Sequence, residues 1–353
     1  MEVVRWGVIG CGGIAARRTI PEVQQTVSNA RVVSVMNRTA DRAREVAEQF
    51  DIPHWCDSEE ELLEQELDAV YIATPQDLHC LQTVQTARAG KHILCEKPMA
   101  VSLEEVDQME SACQGAGVKF MVAFCMRNNV YNQKARELVQ SGALGRMVMG
   151  RAQLTCWYPP IPGAWRQDVS RSHGGSLIDM GTHCLDLIEW IMGASIVEVA
   201  GFQDLMTHRY RTRIEDASTI VVRLDNGAHG IVDDYFNLPD AAAQNTLELH
   251  GTKGSIIGQG TIGQDPTGRM FSIVQSEETG YDARQVRDVP VKREEYRLKG
   301  AGIYGQMVEA FSRCVLEDEE PSPGLEAGKH SVKLVDAIYR AAAERRVVCV
   351  NEG

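Results

Sequence analysis

The first fifteen residues constrain the fold more than any other stretch of this chain. A short β-branched run ends at Ile9 and passes at once into Gly10-Cys11-Gly12-Gly13-Ile14-Ala15, a G-x-G-x-x-A pattern that opens a helical stretch. In that context each small residue has a physical role. Gly10 permits a tight turn, Gly12 lets the backbone approach a pyrophosphate, and Ala15 lets helix and strand pack closely. The phosphates would sit at the helix N-terminus, where the first amides have no intrahelical partner. An ordinary strand-to-helix turn is the plainer reading of the same glycines, and the alternating segments behind them favour the dinucleotide-binding one.

Up to about residue 123, apolar runs at 3–9, 31–36, 68–73, 91–94 and 119–123 alternate with helical patterns, the signature of a parallel sheet covered by helices. Two of those helices open with capping-box spacing, Ser58 to Glu61 and Ser102 to Glu105. Beyond Arg127 the rhythm changes. The spacing predicts helices over 130–141, 176–192, 303–316 and 327–345, and strands over 146–155, 197–205, 219–224, 230–236 and 246–250. Turn residues at 225–227 and 251–254 indicate antiparallel pairing. The expected class is therefore α/β, with a doubly wound Rossmann domain at 1–124 and an α+β domain at 125–353.

Composition narrows the partners. Lys and Arg number 36 against 49 Asp and Glu, a net charge of −13 that repels phosphodiester backbones and anionic membrane surfaces. Nucleic acid and membrane partners are not expected. The 10 cysteines contain no C-x-x-C pair, and several lie in apolar runs, which points to reduced thiols and a cytoplasmic setting rather than a zinc or redox centre. The N-terminal run enters a strand directly, leaving no room for a secretory leader.

Three further stretches carry chemistry. After the second strand the chain reads Met36-Asn37-Arg38-Thr39, where NAD-binding versions of such a sheet place an acid for the ribose 2′-hydroxyl. Asn37 does not repel a 2′-phosphate, and Arg38, with Arg42 a turn later, can pair with one, so NADP(H) is the better fit than NAD(H). Solvated arginines at a helix start are the competing reading. Lys97 in Cys95-Glu96-Lys97-Pro98 follows a strand whose carboxyl end faces the ligand crevice of an open sheet, and Pro98 can follow a cis bond. In the helix predicted over 176–192, Asp179, His183 and Asp186 fall at i, i+4 and i+7 on one narrow face of a largely apolar helix. An imidazole beside a carboxylate is an acid/base pair with its orienting partner. A solvated polar stripe and a carboxylate–histidine metal site would use the same face. Gly174-Gly175 just before the helix favours close approach of a ligand.

Together with Ala73-Thr74-Pro75, His79 and the run Ala89 to Pro98, these motifs resemble the Gfo/Idh/MocA (glucose-fructose oxidoreductase / inositol dehydrogenase) family over essentially the whole chain. The resemblance implies a Rossmann domain followed by a large, mostly antiparallel open sheet through which homodimers or homotetramers pack. It also places Lys97, Asp179 and His183 at the catalytic centre, with Thr74, Pro75, His79 and Glu96 beside the cofactor. Tyr158-Pro159-Pro160, Trp165-Arg166 and Arg127-Asn128 look like the 1,5-anhydro-D-fructose reductase branch. There Trp165 and Arg166 would meet the sugar, and Arg127 would contact substrate or carboxamide. The expected activity is hydride transfer between a nicotinamide and a secondary alcohol or ketone of a sugar, sugar derivative or cyclitol. An NAD-dependent glycosidase using transient redox at the sugar, and a dinucleotide-responsive binding protein, are the rival readings. No resident metal is expected.

Overall fold

The computed structural model describes residues 2–210, 212–275 and 290–352. The chain forms two compact units, and each is interrupted in sequence. The first comprises Met1–Cys125, Gly163–His173 and Ala301–Lys333. Its sheet runs β3-β2-β1-β4-β5-β6, built from β1 (Val4–Ile9), β2 (Ala30–Met36), β3 (His54–Cys56), β4 (Ala69–Ile72), β5 (His92–Cys95) and β6 (Phe120–Val122). Every pairing is parallel. β4 and β6 are buried at every residue, as expected where helices cover both faces of a sheet. The strand β3 is absent from the sequence expectation. His-Trp-Cys contains no β-branched residue, and two of its three side chains are exposed at the sheet edge.

Segments far along the chain complete this unit. Helix Ile303–Leu316 packs on β1 through Trp6, whose indole lies 5.6 Å from the Phe311 ring and donates to Ser312 Oγ at 3.0 Å. Glu22 caps that helix, accepting from the amides of Tyr304 at 2.9 Å and Gly305 at 2.8 Å. Ser58 and Ser102 cap their helices as the spacing predicts, each accepting from the third amide onward at 3.3 Å.

The second unit comprises Met126–Pro162, Gly174–Gly300 and Leu334–Gly353. Its strands are β7 (Met147–Thr155), β8 (Ile196–Asp204), β9 (Ala217–Leu224), β10 (His229–Tyr235), β11 (Leu247–Gly251), β12 (Gly254–Gln259), β13 (Arg269–Gln275), β14 (Val291–Tyr296) and β15 (Val348–Cys349). They form one sheet in the order β14-β13-β12-β11-β7-β10-β9-β8-β15, and only β7 and β10 pair parallel. β9 and β10 make the hairpin predicted at 225–227, with Gly227 at φ 84°. Helix Thr182–Met192 lies on the sheet over Gly150 and Gly230. A Cβ on Gly150 would press on Met192 Sδ, so glycine there sets how closely helix and sheet approach. β12 to β14 and β15 go beyond the sequence expectation. Glycine-rich β12 and the charged, exposed Val-Lys-Arg-Glu-Glu-Tyr of β14 lack clean alternation, and charge on an edge strand blocks further pairing. Among the described residues no helix is long and apolar enough to cross a membrane.

Candidate active site

In the first unit the strand order reverses between β1 and β4, the point at which an open parallel sheet binds ligands outside its carboxyl ends. The glycine motif occupies that point. Gly10 has φ 92°, and a Cβ there would strike the Ala73 carbonyl and Thr74, so the turn admits only glycine. The amides of Gly10 and Cys11 both donate to the Met36 carbonyl, at 3.0 and 3.1 Å. The helical run begins at Gly13, so the next amides are those of a helix first turn. A Cβ on Gly12 would meet nothing closer than Asn37 Nδ2 at 3.6 Å, and one on Gly13 nothing within 4 Å. Bare backbone facing open space at a helix N-terminus fits a dinucleotide pyrophosphate. Ile14 and Ala15 continue into a π turn, Ala15–Thr19, with Ala15 fully buried against the sheet.

Asn37 stands at the end of β2, its Oδ1 accepting from the Thr39 amide at 3.1 Å. Arg38 is exposed, and Arg42 is exposed with an ion pair to Glu45 at 3.1 Å. No acid of the chain occupies 36–39.

Beyond β4 and β5 lie the other predicted residues of this unit. His79 is buried, with Nε2 at 3.0 Å from the Thr74 carbonyl and Nδ1 at 2.9 Å from that of Pro98. It thus ties the Thr74-Pro75 turn to the Lys97-Pro98 turn, whose peptide bond is cis. Burial lowers the His79 pKa, against the two carbonyls, which raise it. Thr74 Oγ1 donates to Gln82, which in turn donates to Glu59. Glu96 accepts from the Tyr71 hydroxyl at 2.5 Å and from the Lys97 amide at 3.2 Å. Burial raises the Glu96 carboxyl, while Tyr71, Lys97 and Arg166 pull it down. Arg166 therefore lies close enough to Glu96 to act on its charge, and its guanidinium is 4.5 Å from the Trp165 ring. The segment bearing both docks on this unit through Arg171 to Asp77 at 3.1 Å and Gln76 to the Ser172 carbonyl. Tyr304 is buried beside Cys125, Glu96 and Tyr71, and burial pushes its hydroxyl far up.

In the second unit the predicted helix over 176–192 forms, but its start is a π turn, Leu177–Gly181, followed by α-helix Thr182–Met192. The wider turn changes the register of Asp179 against His183 from the α spacing that the sequence suggests. From Gly174 to Ile188 every residue is buried except Asp179, which is half-exposed. His183 follows on the next turn at 8% exposure. A carboxylate reaching solvent from an otherwise buried helix, with an imidazole behind it, can bind a hydroxyl and exchange its proton.

Two expectations for this stretch need correction. Asp186 does not join an open face with Asp179 and His183: it is buried and gripped by Arg127, whose Nε and Nη2 donate at 2.9 and 2.6 Å. Burial raises the Asp186 carboxyl against that guanidinium, which sits 5.7 Å from the Trp190 ring. Among the described residues no group of three His, Cys, Asp or Glu has metal-holding geometry. Nor do Gly174 and Gly175 make way for a ligand. A Cβ on Gly174 would collide with the Tyr339 hydroxyl, and one on Gly175 with the Glu215 carbonyl oxygen, so both glycines admit protein atoms. Tyr71, Glu215, Asp234 and Tyr339 escape sequence reasoning, since each is an isolated residue with no motif around it.

Comparison with known proteins gives the family. The family model described as oxidoreductase family, NAD-binding Rossmann fold, matches residues 4–124, and that of the GFO/IDH/MocA C-terminal domain matches 132–257. A 1,5-anhydro-D-fructose reductase of Ensifer adhaerens is 29% identical, with 99% of both chains covered. A D-xylose 1-dehydrogenase (NADP(+)) of Haloferax volcanii is 30% identical over 96% of this chain and 97% of its own. The solved aldose-aldose oxidoreductase of Caulobacter crescentus, complexed with glycerol, superposes with a TM-score of 0.86 at 25% identity, covering 99% of this chain and 100% of its own. The chain belongs to the Gfo/Idh/MocA family and is an NAD(P)-dependent oxidoreductase.

Proposed function

We propose that this enzyme transfers hydride between NADP(H) and a secondary alcohol or ketone carbon of a sugar, sugar derivative or cyclitol. The observation that carries the reading is Asp179, the one residue of 174–188 that is not buried, with His183 one turn behind it. The names of the Ensifer, Haloferax and Caulobacter relatives support the substrate class, and the Haloferax name supports NADP. Bound at Gly10, Gly12, Gly13 and Ile14, the nicotinamide cofactor supplies the hydride acceptor or donor. His183 takes and returns the hydroxyl proton of the substrate. Asp179 holds a substrate hydroxyl and orients the imidazole, and Lys97 polarises the carbonyl oxygen. Thr74, Pro75, His79 and Glu96 shape the cofactor side, Asn37, Arg38 and Arg42 take the 2′-phosphate, Trp165 and Arg166 are assigned to the sugar, and Arg127 to substrate or carboxamide.

We assign cofactor binding to 1–124 and substrate binding and assembly to 125–353. Pairing into a homodimer or homotetramer would use the sheet face bearing a concavity of about 420 Å³ lined by Met149, Ala200, Val221, Ile231 and Val347. Ten free thiols suit a reducing cytoplasm.

The test is a parallel fluorescence titration of the nucleotide-stripped protein with NADPH and NADH, followed by turnover assays on a series of sugars and polyols. Tighter NADPH binding with turnover of a member of that series is expected. Preference for NADH would overturn the assignment of Asn37 and Arg38, and absence of redox turnover with release of an aglycone would overturn the reaction.

A further inference from the structure

The turn that presents Asp179 is held from below by a single carboxylate. Glu215, in the connection between β8 and β9, is buried, and its Oε1 accepts from the amides of Gly175 at 2.8 Å and Leu177 at 3.2 Å. Its main-chain carbonyl accepts from the Ser176 amide at 3.2 Å. One residue thus satisfies three consecutive amides at the start of the helix, a place where such donors otherwise lack partners and where the helix dipole favours negative charge. The Tyr339 hydroxyl, on helix Leu325–Glu344, donates to the same Oε1 at 2.9 Å. Gly174 and Gly175 are bare so that these two groups can close on the backbone, as the collisions of an added Cβ show. At the other end of the π turn, Gly181 lies on the Asp234 carboxyl, which is fully buried beside the Ser176 and Ser218 hydroxyls. Burial raises the Glu215 carboxyl, and the donors from Tyr339, Gly175 and Leu177 work against it.

We propose that Glu215, braced by Tyr339, is a positioning residue for Asp179: by clamping the amides of 175–177 it fixes the π turn and hence where the Asp179 carboxylate stands. This rests on the reading that Asp179 meets the substrate. Glu215 itself acts through the backbone.

The test uses the full chain with Glu215→Gln, Tyr339→Phe and the double variant. Glutamine keeps the size and one acceptor but removes the charge, and phenylalanine removes a single donor. Expected are a fall in kcat of about tenfold for Glu215→Gln and about threefold for Tyr339→Phe, with the double variant no worse than Glu215→Gln because the tyrosine acts through the glutamate. KM for the best sugar should change less than kcat, and NADPH affinity should stay within about twofold. Without cofactor or substrate, amide exchange in the peptide covering 174–181 should speed up in Glu215→Gln, and the Asp179 carboxyl ¹³C resonance should shift. Unchanged kcat in a folded variant, additive effects in the double variant, or an unmoved Asp179 resonance would each overturn the clamp. A wild-type chain that oxidises or reduces no sugar sinks the functional reading instead, and the Asp179 resonance and the exchange rates then decide the clamp alone.

Discussion

His183 is an imidazole at 8% exposure in a helix whose buried residues are mostly Leu, Ile, Met and Cys, with Thr182 and the Arg127-paired Asp186 beside them. Burying such a group costs free energy unless hydrogen bonds offset that cost. Its replacement by alanine should lower kcat about 100-fold while NADPH affinity holds within about twofold, because it removes proton transfer and leaves the glycine turn untouched. Stopped-flow reduction of the cofactor with parallel binding titrations measures both, and unchanged turnover removes His183 from that role. At the other end of the cofactor, Arg38→Ala should weaken NADPH about tenfold and leave NADH unchanged, the signature of one lost guanidinium–phosphate contact. Equal weakening of both nucleotides would mean that Arg38 stacks on the base and does not read the phosphate. These residues are legible in the sequence because each departs from its surroundings: a basic residue where an acid is expected, a histidine in an apolar run. Glu215 and Asp234 carry no such contrast. Their meaning comes from the helix packed above them, which sits far away in sequence.

At the scale of elements, legibility follows hydrophobic pattern. β1, β2 and the strands β7 to β11 appear in the sequence because a run of β-branched residues or a clean alternation marks them. β3 and β12 to β14 have glycine, aromatic or charged composition and depend on neighbours for their pairing. The π turn at Leu177–Gly181 is invisible for a different reason. The residue types of 177–181 do not separate α from π spacing, and the turn is flanked by Glu215, which accepts from the amides of Gly175 and Leu177, and by Asp234, against which Gly181 lies. The two glycines before it then separate by what they touch. Gly175 faces main chain, which cannot move aside, so Gly175→Ala should destabilise the protein by about 3 kcal/mol. Gly174 faces the end of the Tyr339 side chain, which can rotate, and Gly174→Ala should cost about 1 kcal/mol. Urea unfolding midpoints measure the difference. Equal costs would show that the Glu215 loop yields as readily as a side chain.

Over the whole molecule, acids are set against burial. Glu96, Asp186, Glu215 and Asp234 are all pushed upward by burial, Asp234 well above the ordinary 3.8. His79 and His92 are pushed downward by burial, below the ordinary 6.5. The two classes have opposite signs. A carboxyl raised in the native state holds its proton while the unfolded chain has lost it, so stability falls as pH rises from the unfolded value to the native one. A histidine lowered in the native state binds fewer protons than the unfolded chain below about 6.5, so stability falls as pH drops through that range. Asp68, held below its ordinary value by Arg5, adds a further loss only in stronger acid. The raised carboxyls are therefore separable from the rest by substitution. Asp234→Asn copies the protonated acid and cannot titrate, so the stability of wild type minus that of the variant should decline as pH rises above about 4, with a slope of at most about 1.4 kcal/mol per pH unit, and level off once the native carboxyl ionises. Thermal or urea unfolding of both proteins across pH 4–8 gives that difference directly. A flat difference would mean that Asp234 ionises in the folded protein as easily as in the unfolded chain, and that the floor beneath the Asp179 turn carries a charge.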